Sequence, residues 1–255
     1  MHPSRQHTPF GPGLALLVAL GFFSPPGSAQ AEGLRYTVGL IAGAGQSPFE
    51  KDGTESGLIP DFLIEGDRLS FGTSGLTYKA IDSGVFTLSA RLAPRWFVAD
   101  PTEVAGLEQL ERDIAIEAGL SARFAFGNVQ AEIEMLQDVS DTHGGMAVTA
   151  ALSTGFSVSD RFMIGARMGA TWMDADLATY SYGVLPAEAS GSLAAYRVRD
   201  SVIPSIGINA SYAFADHVSL TGGVETSFLP DSVTNSPIVK RDTLTSVVVG
   251  LRYAF

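Results

Sequence analysis

Hydrophobic and polar residues alternate with a period of two along most of the chain after residue 31, which is the pattern of a β-strand with two unlike faces. The clearest segments are residues 84–95, 113–126, 128–138, 145–157, 161–173, 202–214, 217–228 and 244–255. They are 11 to 14 residues long. Ordinary strands have about 5 to 6 residues, whereas a strand tilted across a bilayer needs about 9 to 11. The pattern therefore predicts strands that cross a membrane.

The two faces of these segments differ in chemistry. The apolar face of residues 128–138, for example, consists of Val129, Ala131, Ile133 and Met135. The polar faces are rich in Gly, Ser and Thr, and aromatic residues concentrate near the strand ends, where the interface girdles of membrane barrels lie. A sandwich or lipocalin in water also alternates, but its water-facing surface has no reason to be built from such small residues. We therefore expect the apolar face to contact lipid and the polar face to line a narrow lumen.

The polar faces also carry charges of both signs on several strands. We expect these charges to form ion pairs inside the lumen, because an unpaired buried charge is costly. The predicted lumen network consists of Arg91, Arg95, Asp113, Glu117, Arg123, Glu132, Glu134, Arg167, Glu225 and Arg252. Such a network predicts a plugged or poorly conducting interior rather than a wide pore.

The connections between segments alternate in length. Short turns alternate with longer connections, the longest being residues 96–112, 174–201 and 229–242. Outer-membrane barrels have short periplasmic turns and longer external loops. Counting back from a periplasmic C-terminus places every short turn on the periplasmic side.

The N-terminal third leaves the strand number open. Residues 34–43 form one strand, and residues 58–79 form either one long bulged strand or two strands around Glu65-Gly66-Asp67. One strand gives ten in total, and two give eleven, which breaks the even count of bacterial barrels unless another strand is hidden. The sequence thus predicts an all-β, transmembrane, antiparallel up-and-down β-barrel of ten strands, with twelve as the alternative.

Both ends of the chain carry features of an exported barrel. Leu14 to Phe23 is a ten-residue apolar core, and Ala29-Gln30-Ala31 has the small-x-small form of a signal-peptidase site. We expect a cleaved signal peptide over residues 1–31 and the barrel over residues 32–255. The last strand alternates up to a terminal aromatic residue, which resembles the signal read by the outer-membrane assembly machinery. The residues of this assembly signal are Val247, Val249, Leu251, Tyr253 and Phe255.

Composition narrows the function classes. No stretch of 18 apolar residues occurs in the main body, although the mean hydropathy is +0.20, so a helical membrane protein is not expected. The chain has no cysteine, which excludes disulfides, thiol catalysis and thiolate metal sites. Its formal net charge is −11, and a chain this acidic is a poor nucleic-acid binder.

Catalytic and metal sites have little support in the sequence. His143 follows Ser140, Asp141 and Thr142 in an external loop, where a nucleophile and a base can be assembled, but polar residues are the ordinary content of such a loop. A calcium site is the other alternative, although its carboxylates lack the dense spacing of a specific motif. Those carboxylates are Asp174, Asp176, Glu188, Asp231 and Asp242. We expect no catalytic residues, no cofactor and no metal.

From residue 145 onward the chain resembles the MipA/OmpV family of outer-membrane proteins. The first motifs that carry the resemblance are Tyr182-Gly183-Val184, Pro186-Ala187-Glu188-Ala189, Ser192-Leu193 and Ala195-Tyr196. The later ones are Asn235-Ser236-Pro237-Ile238-Val239 and Tyr253-Ala254-Phe255. The segment from Pro60 to Lys79 is similar but looser. The chain departs from the family at Ser181, where a second aromatic residue is common, and at Asn235, where Asp is common.

The resemblance implies a non-catalytic role. One branch of the family is described as a scaffold that binds a lytic transglycosylase and a bifunctional penicillin-binding protein, which links peptidoglycan cleavage to its synthesis. Another branch consists of surface adhesins or immunogens, and a small-solute channel is a further alternative. The expected partners are therefore outer-membrane lipid, the barrel-assembly machinery and those two wall enzymes.

Overall fold

The computed structural model describes residues 33–97 and 99–255. The predicted signal peptide, with its cleavage after Ala31, lies outside the described residues. Within those two ranges, no helix combines the length and the apolar character needed to cross a membrane.

The described chain forms twelve antiparallel strands that close into one barrel, in which each strand pairs with its neighbours in sequence and β1 pairs with β12. The strands of the first half are β1 (Arg35–Gln46), β2 (Thr54–Glu65), β3 (Leu69–Gly72), β4 (Gly75–Asp82), β5 (Phe86–Arg95) and β6 (Ala115–Phe126). Those of the second half are β7 (Val129–Asp138), β8 (Met146–Ser159), β9 (Phe162–Met173), β10 (Ser201–Ala215), β11 (Val218–Phe228) and β12 (Thr243–Ala254). The predicted up-and-down barrel is confirmed, and so is the alternation of short turns and long loops.

The preferred count of ten strands was wrong, and the alternative of twelve is what the structure shows. The segment predicted to be one or two strands contains the end of β2 and a small hairpin of β3 and β4. The hairpin turns at Thr73-Ser74, and Gly75 follows with a φ of 99°, a conformation that favours glycine. Because β3 is only four residues long, it is too short to show a period of its own in the sequence.

The barrel wall is shorter at this hairpin than elsewhere in the described barrel, because β3 and β4 do not extend to the outer end of β2. β3 pairs with β2 only at Leu63–Glu65, so the upper part of β2 has a strand partner only in β1 among the described residues. The backbone carbonyl of Phe62 points toward the β3–β4 hairpin and accepts a hydrogen bond from Thr73 N at 3.1 Å. Pro60, two residues away on the same edge, therefore loses no ladder hydrogen bond through its missing N–H. On the opposite side, Pro94 lies beyond the last residue of β5 that pairs with β4.

The apolar face of the strands points outward, as predicted. Large apolar side chains with about half of their surface exposed occur on every long strand, and they include Leu40, Leu58, Leu120, Ile133, Leu152, Met168, Ile208 and Leu251. The alternate positions point inward and are small or polar. This is the reverse of a barrel in water, and it places the hydrophobic belt against lipid.

The long loops at the extracellular end fold together over the barrel. They comprise residues 47–53, 96–114, 174–200 and 229–242, and we call them the cap. The cap contains a short 3-10 helix (Pro101–Glu103), α1 (Ala175–Tyr182) and α2 (Asp231–Thr234). Its hydrophobic core draws on all four loops and on the strand ends below them, through residues that include Phe49, Leu110, Tyr182, Val184, Val198, Val233, Ile238 and Leu244. A packed core of this kind closes the barrel on its outer side.

Candidate functional site

The lumen beneath the cap is lined by ion pairs between inward-facing side chains. Arg95 Nε contacts Glu117 Oε1 at 2.6 Å. Arg91 contacts Glu134 at 3.2 Å, and Arg123 contacts Glu132, its direct neighbour across β6 and β7, at 3.5 Å. Each of these pairs satisfies a charge that is costly to leave unpaired inside a barrel.

The same side chains surround a cavity of about 310 Å³. Its wall also includes Arg167, Glu225, Trp96 and Tyr182, the last of which descends from α1 of the cap. Burial raises the pKa of Tyr182 to about 12, so this hydroxyl is neutral at physiological pH. The cavity thus has a charged wall and a closed, aromatic roof.

Two of the predicted lumen residues have different surroundings from those expected. Asp113 lies in loop 96–114 before β6, with an exposed side chain, and does not line the cavity. It was predicted to be in the lumen because the alternation was extended two residues beyond the start of the strand. Arg252 pairs with Asp61 at 2.6 Å, and Asp61 was missed because it lies in β2, where the strands could not be assigned.

His143 lies in the connection between β7 and β8, within a network of hydrogen bonds. Its Nδ1 accepts a hydrogen bond from Gly145 N at 3.0 Å, and its Nε2 lies 3.4 Å from Glu117. Ser140, the potential nucleophile, donates its hydroxyl to Asp138 at 2.7 Å. The Asp138 carboxylate also accepts from the backbone of His143 and Gly144. The serine is therefore engaged in holding the loop and is not directed at the histidine.

The family motif after α1 is held by a buried arginine that the sequence did not reveal. Arg112 forms a bidentate ion pair with Glu188 and donates to the Gly183 carbonyl at 3.1 Å. Its guanidinium also lies over the ring of Tyr180, 5.0 Å from the ring centre. Glu188 in turn accepts from Leu185 N at 2.8 Å. These contacts join loop 96–114 to loop 174–200, so the motif shapes the cap.

Gly183 itself is fixed by close packing. A Cβ at this position would lie 2.5 Å from the Tyr196 carbonyl and 2.7 Å from the Thr179 carbonyl. The neighbouring Val184 pairs with Tyr196 through two backbone hydrogen bonds. The glycine therefore permits the tight approach of two parts of the loop.

The second family motif forms the end of α2 and the turn after it. Ser236 and Ile238 are buried in the cap, and Val239 N donates to the Ser236 carbonyl at 3.1 Å. Pro237 lies between them, and its carbonyl accepts from Lys240 Nζ at 2.6 Å. Residues of both motifs, Val184 and Ile238 among them, thus lie in the hydrophobic core of the cap.

Three of the five carboxylates considered for calcium have other roles. Asp174 caps α1 by accepting from Leu177 N at 2.9 Å, Asp176 pairs with Arg197 at 3.0 Å, and Glu188 pairs with Arg112. In the two described ranges, no group of three or more potential ligands is arranged to hold a metal ion.

At the opposite end of the lumen, a polar pocket of about 360 Å³ faces the periplasm. It lies between the lower ends of β8, β9 and β10 and is lined by Ser157, Ser159, Asp160, Arg161, Met163, Ser211 and Ala213. The barrel is therefore covered by a packed cap on one side and presents a polar mouth on the other.

Comparison with known families identifies this architecture. A family profile described as "MltA-interacting protein MipA" matches residues 38–255. The chain belongs to this MipA family. The MltA-interacting protein of Escherichia coli (strain K12) is 28% identical over 247 residues, which cover 94% of this chain and 98% of the relative. The 24 kDa outer membrane protein of Pasteurella multocida (strain Pm70) is 23% identical over 258 residues, with the same coverage.

The solved structures that resemble this chain include an outer-membrane porin. The KdgM porin superimposes with a TM-score of 0.44 and 11% identity, over 86% of this chain and 99% of that chain. The fold, the family and the names of the relatives together place this MipA-family protein in the outer membrane, as predicted.

The end of the MipA-family chain lies at the closure of the barrel. β12 pairs with β1 from Thr37–Ala254 to Gly45–Ser246, and Phe255 N donates to the Tyr36 carbonyl at 2.9 Å. The residues of the predicted assembly signal all face outward and are 43–71% exposed, namely Val247, Val249, Leu251, Tyr253 and Phe255. An apolar, outward-facing stripe is therefore available on the last strand.

Proposed function

We propose that this MipA-family barrel is a non-catalytic scaffold, which holds a lytic transglycosylase and a bifunctional penicillin-binding protein at the inner face of the outer membrane. The name of the 28% identical relative supports an interaction with the transglycosylase. The proposal includes removal of residues 1–31 on export and delivery of the barrel to the assembly machinery through β12.

The observation that carries the proposal is the difference between the two ends of the barrel. Four loops with a shared hydrophobic core cover the outer end, whereas the periplasmic end has short turns and the polar pocket around Asp160 and Arg161. Enzymes that act on peptidoglycan reach the barrel from the periplasm. A closed outer end and an accessible inner end suit a protein that binds partners on the inner side.

Charge reversal at the periplasmic pocket tests this placement. The full barrel, folded in nanodiscs, is immobilised, and binding of the purified transglycosylase and synthase from the same organism is measured by biolayer interferometry. Arg161→Glu reverses the positive charge at the rim of the pocket, and we expect it to weaken binding about tenfold, since a reversed charge at an interface meets a like charge on the partner.

The matched control is Arg197→Glu, the same substitution on the exposed outer side of the cap. We expect its affinity to equal that of the unaltered protein. Absence of binding by the unaltered barrel overturns the scaffold proposal. A loss of binding in Arg197→Glu, with none in Arg161→Glu, would place the contact on the wrong side of the membrane for a wall enzyme.

A small-solute channel is the second candidate, and the cavity within the lumen favours it. A channel needs a continuous polar path, whereas this lumen has ion pairs along its wall and a cap above it. Steady single-channel conductance in planar bilayers would favour the channel over the scaffold.

A further inference from the structure

The cavity beneath the cap contains equal numbers of basic and acidic side chains, but not all of them are matched. Three arginines and three glutamates form the ion pairs described above. The remaining two, Arg167 and Glu225, line the same cavity and form no ion pair with each other or with any other described residue. The Arg167 guanidinium and the Glu225 carboxylate attract each other electrostatically without direct contact. One guanidinium and one carboxylate of the cavity wall therefore lack an ion-pair partner within the described chain, whereas the other six charged side chains are paired.

The strand register places these two charges on either side of one glycine. Gly207 of β10 is the direct partner of Arg167 on β9 and also of Glu225 on β11. The two charged residues thus lie on strands two apart, with a Cα separation of about 9 to 10 Å from the usual strand spacing. Arg252 and Asp61 flank Gly39 in the same register and form a direct ion pair at 2.6 Å, whereas Arg167 and Glu225 do not pair in this structure.

Four residues of the cavity lining have a buried polar atom with no hydrogen-bond partner among the described residues, namely Arg91, Trp96, Glu134 and Glu225. Glu225 is 5% exposed, and its Oε2 has no hydrogen-bond partner among the described residues. The same holds for Trp96 Nε1, which can only donate. Buried polar atoms are rarely left unsatisfied, because each costs free energy that a bound group can recover. The wall therefore offers an open acceptor with negative charge on Glu225, a positively charged donor on Arg167 and a neutral donor on Trp96.

We infer that this cavity is a binding site for a small zwitterion, a free amino acid or short peptide. Its ammonium group is held by Glu225 and its carboxylate by Arg167, with Trp96 as a further donor. Only a ligand with both charges satisfies both side chains, because a simple anion leaves Glu225 open and a simple cation leaves Arg167 open. This site does not depend on the proposed enzyme partners, since it lies inside the lumen and not at the periplasmic surface.

The chain has two tryptophans, which makes the test direct. Trp172 lies on the lipid-facing register of β9, so Trp172→Phe leaves Trp96 as the single fluorescent reporter in the cavity. This full-length barrel, folded in nanodiscs, is titrated with alanine, alanyl-alanine, N-acetyl-alanyl-alanine and alanyl-alanine amide. We expect saturable changes in Trp96 fluorescence with alanine or alanyl-alanine. The acetylated and amidated dipeptides, which each lack one charge, should bind about tenfold more weakly, since each loses a charge-assisted hydrogen bond.

Two variants assign the charges to their residues. Glu225→Gln should abolish the preference for alanyl-alanine over its acetylated form, and Arg167→Gln should abolish the preference over the amide. A general loss of structure cannot produce these two separate changes in selectivity. Asp61→Asn, which removes an ion pair outside the cavity, should change neither preference, and heat-modified electrophoretic mobility reports that each variant is folded.

Several outcomes would overturn the inference. They are the absence of a saturable response to both zwitterions, equal affinity for the charged and the blocked dipeptides, or a Glu225→Gln variant that keeps its preference for the free amine. Loss of enzyme binding in the scaffold experiment would leave these titrations unaffected, so the two proposals fail separately.

Discussion

At Gly183 the backbone of the cap passes so close to two carbonyl groups that a side chain has no room. The contact lies between α1 and the strand-like pairing of Val184 with Tyr196, and it brings Tyr182 down to the roof of the cavity. Arg112 stabilises the same point by donating to the Gly183 carbonyl. A small number of residues in the loops therefore fixes the position of the cap over the lumen.

A methyl group at Gly183 tests this close packing. We expect Gly183→Ala to destabilise the cap by about 1–3 kcal/mol, the usual cost of overpacking. The measurement is the rate of limited trypsin cleavage within loop 174–200 of the folded barrel. Gly191→Ala is the matched control in the same loop, because a Cβ there meets nothing within 4 Å. Equal cleavage rates for the two variants would contradict the packing argument.

The ion pair of Arg112 and Glu188 gives a second prediction at this scale. Removing one partner of a buried pair typically costs about 3–5 kcal/mol, because the other charge remains without compensation. We expect Arg112→Ala to loosen the cap strongly, as measured by hydrogen exchange in residues 175–200.

The exposed pair of Arg197 and Asp176 serves as the comparison, with side chains that are 70% and 57% exposed. Exposed pairs contribute little, so Arg197→Ala should leave exchange in the cap unchanged. If both variants exchanged alike, burial would not be the reason for the strength of the Arg112 contact.

Among the elements, the β3–β4 hairpin decides the strand number. Its two strands pair at Ser70–Thr77, with both side chains on the inner face. A single strand over residues 58–79 would instead place these two residues about 23 Å apart, at about 3.3 Å per residue. The two topologies therefore differ in one measurable distance.

Because the chain has no cysteine, a crosslink reports this distance without interference. We expect the variant Ser70→Cys with Thr77→Cys to form a disulfide within the folded barrel, detected as a mobility shift that reductant reverses. Ser70→Cys with Ser89→Cys, on an inward position of β5, is the control that should stay reduced. A reduced first variant would restore the ten-strand topology.

At this scale the sequence predicted much of the structure. Every long strand except β2 was found within about three residues of its bounds, because an apolar outer face and a small inner face impose a period of two over the whole length of a strand. The hairpin was missed because four residues do not establish a period. The pairs Arg252–Asp61 and Arg112–Glu188 join residues 191 and 76 positions apart. Periodicity in one sequence contains no information about which distant residues meet.

At the scale of the whole molecule, the cap covers the outer end of the lumen, where ions would have to pass. The cap has a hydrophobic core of its own, and ion pairs along β5, β6 and β7 line the lumen below it. We therefore predict that ions pass through the barrel only when the loops move apart. The open charges of the cavity are reached more readily from the periplasmic side.

Conductance measures this closure directly. We expect the unaltered barrel in planar bilayers to show no steady open state. Arg112→Ala should show frequent openings, because it releases the contact between two cap loops, while Arg197→Ala should remain silent. A steady current through the unaltered protein would show that the loops do not seal the barrel, and would favour transport over scaffolding.

The four-residue strand beside Pro60 also has a consequence for the surrounding lipid. Most of the perimeter presents strands of ten or more residues to the bilayer, but between β2 and β5 the protein is much shorter. Acyl chains next to that short side meet less apolar surface, and a bilayer adapts to a short span by thinning. We therefore expect the bilayer to be thinner beside β3 and β4 than around the rest of the barrel. Other membrane proteins that approach the barrel from that side would meet a thinner bilayer than those that approach from elsewhere.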